Sequence, residues 1–176
     1  MHKRTFIRTM LVAGVVASGS RAAMAADALK SASSKQADYL FFVNDKEKTA
    51  AKEAAASIVA QLDTALGDGA ALVRIYDNAS PTLKSRYSAG EFAKRMVIAR
   101  ASKGKLVERA LEGLDGGFKK LPNMPEGEYL IVIFDSVFQS SDDIYTEQIS
   151  LVRHDRSASD WQLAEYYSDK KPFYSY

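Results

Sequence analysis

The spacing of apolar residues changes once along this chain, and that change restricts the fold more than any other feature of the sequence. Between residues 44 and 104, apolar side chains recur at three- and four-residue intervals, which is typical of amphipathic helices. From residue 106 onward they alternate or follow one another directly, as in strands. Helices that precede strands, rather than alternating with them, predict an α+β domain with an antiparallel sheet packed on the helices.

Capping signals place the helices. A polar residue followed three positions later by Glu forms a capping-box pattern at Asn44–Glu47 and again at Ser88–Glu91, and each pattern opens a predicted helix. A shorter helix is predicted over residues 70–77, and a turn over residues 78–81 because proline disfavours helical angles in the residue before it. Gly104 ends the last predicted helix.

Four strands are predicted in the second half of the chain, over residues 106–114, 129–138, 145–153 and 161–167. The second of these reads YLIVIFDSVF, a nearly continuous β-branched and aromatic run that is expected of a central strand. Four antiparallel strands in chain order predict a meander.

The N-terminal segment has the three parts of a secretory signal peptide. They are a basic start, a short apolar run and a small-x-small cleavage site, found at Lys3, Arg4 and Arg8, at residues 10–16, and at Ala23-Met24-Ala25. The apolar run is too short for a membrane span, so no stable membrane insertion is expected after cleavage behind Ala25. The sequence therefore predicts a periplasmic protein, with secretion as the alternative. The pair Lys3-Arg4 lacks the first arginine of a twin-arginine signal, which favours Sec export.

Removal of residues 1–25 changes the charge balance. The full chain has 24 basic and 22 acidic residues, but four of the basic residues and none of the acidic ones lie in the signal. The mature chain is therefore slightly acidic, which argues against nucleic acid as a partner. The chain has no cysteine, and His154 is the only histidine after cleavage. No cofactor and no metal site is predicted.

These observations divide the chain into a signal peptide over residues 1–25, a flexible leader over 26–43, an α+β domain over 44–168 and an aromatic C-terminal tail over 169–176. The apolar run at residues 39–43 has two interpretations, because it could pack on the core or form the first turn of a helix.

Particular residues follow one another in a recognisable order within residues 54–167: Ser80-Pro81, Phe92, Arg100, Gly104, Arg109, Leu121-Pro122, Pro125, Gly127-Glu128-Tyr129, Glu147, Trp161 and Tyr166-Tyr167. This order resembles the DUF4019 family of exported bacterial proteins. It implies a cystatin-like or NTF2-like domain with helices in the concave face of a curved antiparallel sheet, and no established activity. Glu165 departs from the family, which tends to have glycine at that position.

The most prominent polar set comprises Arg100, Arg109 and Glu147. If the three side chains meet inside the concave face, the carboxylate could receive a two-pronged guanidinium. One interpretation is a pocket for an anion or carboxylate. The other, which the sequence favours, is an ion pair that joins a helix to the sheet.

A catalytic alternative rests on Asp135, which lies within the most apolar strand. In NTF2-like isomerases a carboxylate acts as a base beside a tyrosine, and here Tyr129 or Tyr145 could supply the phenol. The competing interpretation is that Asp135 marks a bend or the rim of the sheet. His154 is expected to be a solvated turn residue between the last two strands.

The aromatic tail offers a partner surface at Phe173, Tyr174 and Tyr176, since tyrosine and phenylalanine are enriched at binding surfaces. The sequence as a whole favours a non-enzymatic role, in which the domain binds a protein partner or small ligand through the concave sheet, or forms a homodimer. The alternatives are an isomerase- or hydrolase-type enzyme and a structural accessory of an envelope complex.

Overall fold

The computed structural model describes residues 40–155 and 160–171, in which four α-helices precede a four-stranded antiparallel sheet. The helices, in chain order, are α1 (Asp45–Ala65), α2 (Gly69–Asp77), α3 (Pro81–Arg86) and α4 (Ala89–Arg100), and a 3-10 turn (Ala101–Lys103) follows α4. The strands are β1 (Leu106–Phe118), β2 (Glu128–Phe138), β3 (Ser141–Arg153) and β4 (Gln162–Lys170). The predicted α+β fold, with helices packed on a curved sheet, is confirmed.

The two long helices begin where the capping boxes predict. Asn44 Oδ1 accepts a hydrogen bond from the Glu47 amide at 2.9 Å, and the Glu47 carboxylate accepts one from the Asn44 amide at 2.9 Å. Ser88 and Glu91 make the same reciprocal bonds at the start of α4. One face of α1 is buried against the core, and its fully covered residues are Ala51, Ala55, Val59, Leu62 and Ala65. This spacing is the three- and four-residue period of the sequence.

Helix α3 was not predicted, and the predicted turn over residues 78–81 extends one residue too far. Ser80 has extended backbone angles, but these are the angles of an N-cap, and its Oγ accepts from the Leu83 amide at 3.1 Å. Pro81 is the first residue of the helix, where its missing amide hydrogen and fixed φ are compatible with helical structure. The same proline therefore ends the preceding turn and starts a helix.

The strands form a meander in the order β1-β2-β3-β4, so β1 and β4 are the two edges of the sheet. Strand β1 runs four residues beyond the predicted end at residue 114, through two glycines that also suit turns. Gly116 is needed there, because a Cβ atom would collide with the Leu130 side chain on β2. Strands β3 and β4 are also longer than predicted, beginning at Ser141 and ending at Lys170 respectively.

The main core lies between the helices and the concave face of the sheet. The sheet residues that it buries come from the three strands β2, β3 and β4: Leu130, Val132, Phe134, Ile149, Leu151, Leu163 and Tyr166. A smaller cluster of Met124, Tyr129, Val152 and Ala164 forms separately. Because successive side chains on a strand point to opposite faces, Tyr129 and Leu130 mark the two faces of β2.

The segment before α1 packs against the domain. The Phe41 amide donates to the Gly117 carbonyl at 2.5 Å, and Leu40 forms an isolated bridge with Phe118 at the end of β1. Phe41 and Val43 pack against the main core. Of the two interpretations of residues 39–43, packing on the core therefore describes Phe41 and Val43, while Leu40 and Phe42 are exposed. The predicted signal peptide and residues 26–39 of the predicted leader lie outside the described residues.

Candidate functional site

Six polar side chains meet at the centre of the domain, between the helices and the concave face of the sheet. We call them the buried ionic cluster, and they come from six different elements: Asp63 (α1), Arg100 (α4), Arg109 (β1), Ser136 (β2), Glu147 (β3) and Tyr166 (β4). The polar set predicted from the sequence, Arg100, Arg109 and Glu147, is thus brought together. Asp63, Ser136 and Tyr166, which the sequence did not assign to that set, join it.

Glu147 is the centre of the cluster and is fully buried. Its Oε2 accepts from Arg109 Nη2 at 2.7 Å and from Arg109 Nε at 2.9 Å, and it also bonds the Ser136 hydroxyl. Its Oε1 accepts from the Tyr166 hydroxyl at 2.5 Å, and Arg100 Nη1 lies 3.4 Å away. A buried carboxylate is tolerated when its charge is paired and its lone pairs are occupied, and here both conditions are met.

Asp63 joins the two arginines on the helix side. Its Oδ2 accepts from Arg109 Nη1 at 2.6 Å and its Oδ1 from Arg109 Nη2 at 3.1 Å, which is a two-pronged pair. Oδ1 also bonds Arg100 Nη2. Two carboxylates and two guanidiniums therefore share the site, so the four charges balance.

Arg100 is the last residue of α4 and only 1% of its surface is exposed. Its guanidinium carbon lies 5.4 Å from the ring centre of Phe138 and 5.8 Å from that of Tyr166, within the range of cation–π attraction. Its Nε and Nη1 make no hydrogen bond to any described residue. Arg100 is therefore held by charge and aromatic contact as much as by hydrogen bonds.

The electrostatics of the cluster stabilise the ionised form of Glu147. Burial alone would raise the pKa of this carboxyl, but the positive charge of Arg100 opposes it. Hydrogen bonds from Ser136 and Tyr166 and the charge of Arg109 act in the same direction, so the pKa of Glu147 lies below its usual range. Burial and the neighbouring Glu147 charge raise the pKa of Tyr166 well above that of an ordinary phenol, against the opposing charge of Arg100.

A carboxylate whose pKa is lowered by two guanidiniums is a poor proton acceptor at neutral pH, because a general base works best with a pKa near the working pH. The hydroxyl of Tyr166 is correspondingly hard to ionise. The geometry suits a structural role, in which the cluster joins α1 and α4 to all four strands.

Lys103 extends this polar region from the 3-10 turn. Its Nζ donates to Ser168 Oγ at 2.5 Å and lies 4.2 Å from the ring centre of Tyr145 and 5.6 Å from that of Phe138. Burial lowers the pKa of this ammonium, and the positive charge of Arg100 acts in the same direction. The negative charge of Glu147 opposes them, but the pKa of Lys103 still lies below its usual value.

Asp135 does not join the cluster. Ser136, the next residue on β2, bonds Glu147 on the concave side, so Asp135 points to the opposite face of the sheet. There its Oδ2 pairs with Lys171 Nζ, while its Oδ1 is buried without a hydrogen bond from any described residue.

The two tyrosines suggested as partners of Asp135 lie elsewhere. Tyr145 is paired with Ser136 in the sheet and packs edge-on against Phe138, with ring centres 5.7 Å apart, so it lies on the concave side. Tyr129 is six residues from Asp135 along β2, about 20 Å in an extended strand, and its hydroxyl donates to the Pro125 carbonyl at 2.8 Å. The described structure therefore brings neither phenol to Asp135.

The remaining residues named from the sequence are His154 and those of the aromatic tail. His154 is exposed, as expected for a turn residue, and its Nε2 lies 3.1 Å from Thr82 Oγ1 on α3. Phe173, Tyr174 and Tyr176 lie outside the described residues. Within residues 40–155 and 160–171, no three histidine or acidic side chains are grouped to hold a metal ion.

Sequence reasoning missed a second ionic group near the start of α1. Arg153 Nη2 lies 2.7 Å from both a Glu47 and a Glu128 carboxylate oxygen, and its guanidinium lies 4.7 Å from the ring centre of Trp161. Burial would lower the pKa of Arg153, but the hydrogen bonds to both glutamates raise it overall. Glu47 thus serves as both a capping residue and a tie to the sheet.

A signal for Asp63 was present in the sequence. Val59, Leu62, Asp63 and Leu66 occupy positions i, i+3, i+4 and i+7, so an acidic residue lies in the apolar stripe of α1. Arg100 likewise follows Phe92 and Met96 at four-residue intervals. A charge in such a stripe indicates a buried partner, because an unpaired buried charge is strongly destabilising.

Two clefts of comparable size open on the surface among the described residues. One, of about 310 Å³, is lined by residues of α1 and α2 together with Trp161, Gln162 and Leu163. The other, of about 280 Å³, is lined by Arg95, Met96, Ile98 and Ala99 of α4 and by residues of β4. We call the second the α4–β4 cleft.

Comparison with known proteins identifies the family. The family model described as "Protein of unknown function (DUF4019)" matches residues 59–166, more than half of the chain. The chain belongs to the DUF4019 family. The match contains all six residues of the buried ionic cluster.

No curated protein and no solved structure matches this DUF4019 protein. Among its described residues, no helix is both long enough and apolar enough to cross a membrane.

Proposed function

We propose that this DUF4019 protein is an exported, periplasmic domain without catalytic activity that binds a partner at the α4–β4 cleft. The cleft lies between α4 and the edge strand β4, and the exposed Ile98 that lines it is the observation that carries the proposal. The N-terminal sequence, the interior of the concave face and the surface around the cleft support the proposal.

Export is supported by the N-terminal sequence, in which basic residues, a short apolar run and a small-x-small site follow in order. The absence of cysteine from the chain is compatible with an oxidising compartment, because no thiol needs protection there.

The interior of the concave face supports a role without catalysis. Helix α1, apolar core residues and the buried ionic cluster occupy it, and the cluster satisfies its carboxylates internally. Glu147 has a lowered pKa and Tyr166 a raised one, which is opposite to what a proton-transfer pair needs at neutral pH.

The surface around the cleft supports binding. Ile98 is 70% exposed although it is a large aliphatic residue, and its helix also exposes Val97. Tyr167, which lines the same cleft from β4, is half exposed. Exposed apolar side chains beside a concave surface are typical of an interaction site.

The chain allows a specific test of this site because it contains no native cysteine. A single cysteine at Ile98→Cys, carrying a photoreactive group, would report partners of the cleft in the periplasm of living cells. The matched control is Val107→Cys, since Val107 is 66% exposed and lies on β1 at the other edge of the sheet.

The proposal predicts a discrete adduct at position 98, none at position 107, and competition by an excess of unlabelled mature protein. Equal adducts at both positions would contradict it. Export is tested separately by fractionation and by the intact mass, which is expected to begin at Ala26. A chain that stays cytoplasmic with residues 1–25 attached would contradict the export part.

A further inference from the structure

We propose that the partner bound at the α4–β4 cleft is an extended peptide segment with acidic character, which adds to β4 as a fifth strand. This inference rests on the proposed function and names the chemistry of the partner. The edge of β4, which no described residue covers beyond Leu163, the shape of the cleft and the charge that lines it support this partner.

Within residues 40–155 and 160–171, strand β4 is an edge of the sheet and pairs with β3 alone. Its beginning is already covered, because the Ser80 amide and hydroxyl both donate to the Leu163 carbonyl, at 3.0 and 2.8 Å. Further along, the backbone of Tyr166, Tyr167 and Ser168 makes no hydrogen bond to a described residue outside β3. An edge of this kind presents unpaired amide and carbonyl groups to another strand.

The cleft lies beside this uncovered part of the edge. Its β4 side consists of Tyr166, Tyr167 and Ser168, and its α4 side includes Met96 and Ile98. A fifth strand would place every second side chain on the concave side of the sheet, directly toward α4. Main-chain hydrogen bonds would then supply affinity and the cleft would select one or two apolar side chains, as in other cases of strand addition.

The charge at the cleft favours an acidic segment. The guanidinium of Arg95 lines the cleft and stacks at 4.7 Å from the ring centre of Tyr87. Arg95 makes no ion pair with the described residues, and the nearby Glu165 is already paired with Arg86 at 3.1 Å. A carboxylate on the incoming strand would complement the charge of Arg95.

The test uses the folded mature protein and a displayed library of random nine-residue peptides as the probe. Selected peptides are expected to alternate apolar and acidic residues. Each would then be synthesised in two N-methylated forms, with the odd or the even amides blocked. Because alternate amides of an added strand face the sheet, one form should lose binding by at least about tenfold and the other should retain it.

Two variants examine the cleft itself. Ile98→Ser is expected to weaken the binding of the selected peptides about tenfold. The matched Val107→Ser is expected to leave their affinity unchanged. Arg95→Glu should weaken the binding of acidic peptides and strengthen the binding of peptides in which lysine replaces the acidic residues.

The outcomes separate this inference from the proposed function. If the selected peptides need Ile98 but bind equally well in both N-methylated forms, strand addition is overturned and the cleft remains the binding site. If neither cleft variant changes peptide binding, both strand addition and the cleft as the binding site are overturned. Self-association of the mature chain through β4, detected as a dimer lost in Ile98→Ser, would overturn the peptide as the occupant.

Discussion

Arg109 and Glu147 lie on strands that are not neighbours, and they meet across the strand between them. The guanidinium extends from β1 over Ser136 on β2, with Nε 3.1 Å from its hydroxyl, and reaches the Glu147 carboxylate on β3 at 2.7 Å. The same guanidinium also holds Asp63 on α1. One side chain thus ties three strands and a helix, which makes the cluster a sensitive point for stability.

Glu147→Gln should therefore destabilise the protein strongly. The substitution leaves two buried guanidiniums short of a counter-charge, and removal of one partner of a buried pair costs about 3–5 kcal/mol. The matched control is Glu112→Gln, since Glu112 is largely exposed and 3.9 Å from Lys171, where a loss of about 0–1 kcal/mol is expected. Urea denaturation measures both, and equal losses in the two variants would contradict a structural role for the cluster.

The contribution of Glu147 should depend on pH in a defined direction. Its pKa in the folded protein is lowered, so the folded state favours the ionised form more than the unfolded chain does. This stability is fully present above the unfolded pKa of about 4.3 and is lost as the pH falls through the lower, folded pKa.

The difference in unfolding free energy between the wild-type protein and Glu147→Gln should accordingly be constant from pH 7 to about pH 5 and narrow below that. Urea denaturation at half-unit intervals from pH 3 to 7 provides the measurement. A difference that stayed the same at pH 3.5 and pH 7 would show that the charge of Glu147 is not what stabilises the fold.

Gly117→Ala should destabilise the protein and release the segment before α1. Gly117 has φ +82°, a conformation that costs a residue with a side chain about 1–3 kcal/mol, and a Cβ atom there would collide with the Phe41 carbonyl. The control is Gly113→Ala on the same strand, where nothing lies within 4 Å of the added atom.

Hydrogen exchange gives the readout for this glycine. The Phe41 amide, which donates to the Gly117 carbonyl at 2.5 Å, should be protected in the wild-type protein and in Gly113→Ala but exchange faster in Gly117→Ala. Unchanged protection in Gly117→Ala would mean that residues 40–43 are held by their apolar contacts alone.

Ser80→Ala should cost more stability than Ser88→Ala, although both serines cap helices. Ser80 is fully buried, and its loss leaves the Leu83 amide without its acceptor in a place that water does not reach. We expect a loss of about 2 kcal/mol for Ser80→Ala and about 1 kcal/mol for the exposed Ser88→Ala. Thermal unfolding of the two variants provides the comparison, and a larger effect at Ser88 would contradict it.

The candidate site could be predicted only in part. Arg100, Arg109 and Glu147 could be singled out from their predicted elements and the family resemblance. Ser136 could not, because a serine in a strand has many possible partners until the register is known. Asp63 gave a signal as a charge in the apolar stripe of α1, but that signal does not identify its partners. Asp135 shows the same limit, since a shift of one position along β2 separates the concave face from the opposite one.

The sequence by itself determined the local features of this protein. Apolar periods, capping boxes and the central β-branched strand depend on residues a few positions apart, so they can be predicted from the sequence. Only the tertiary structure decided that Asp63 meets Arg109, 46 positions away, and that Arg109 meets Glu147, 38 positions away. These contacts depend on how the strands pair and how α1 lies on the sheet, and the energy of a buried charge is defined only once its partners are in place.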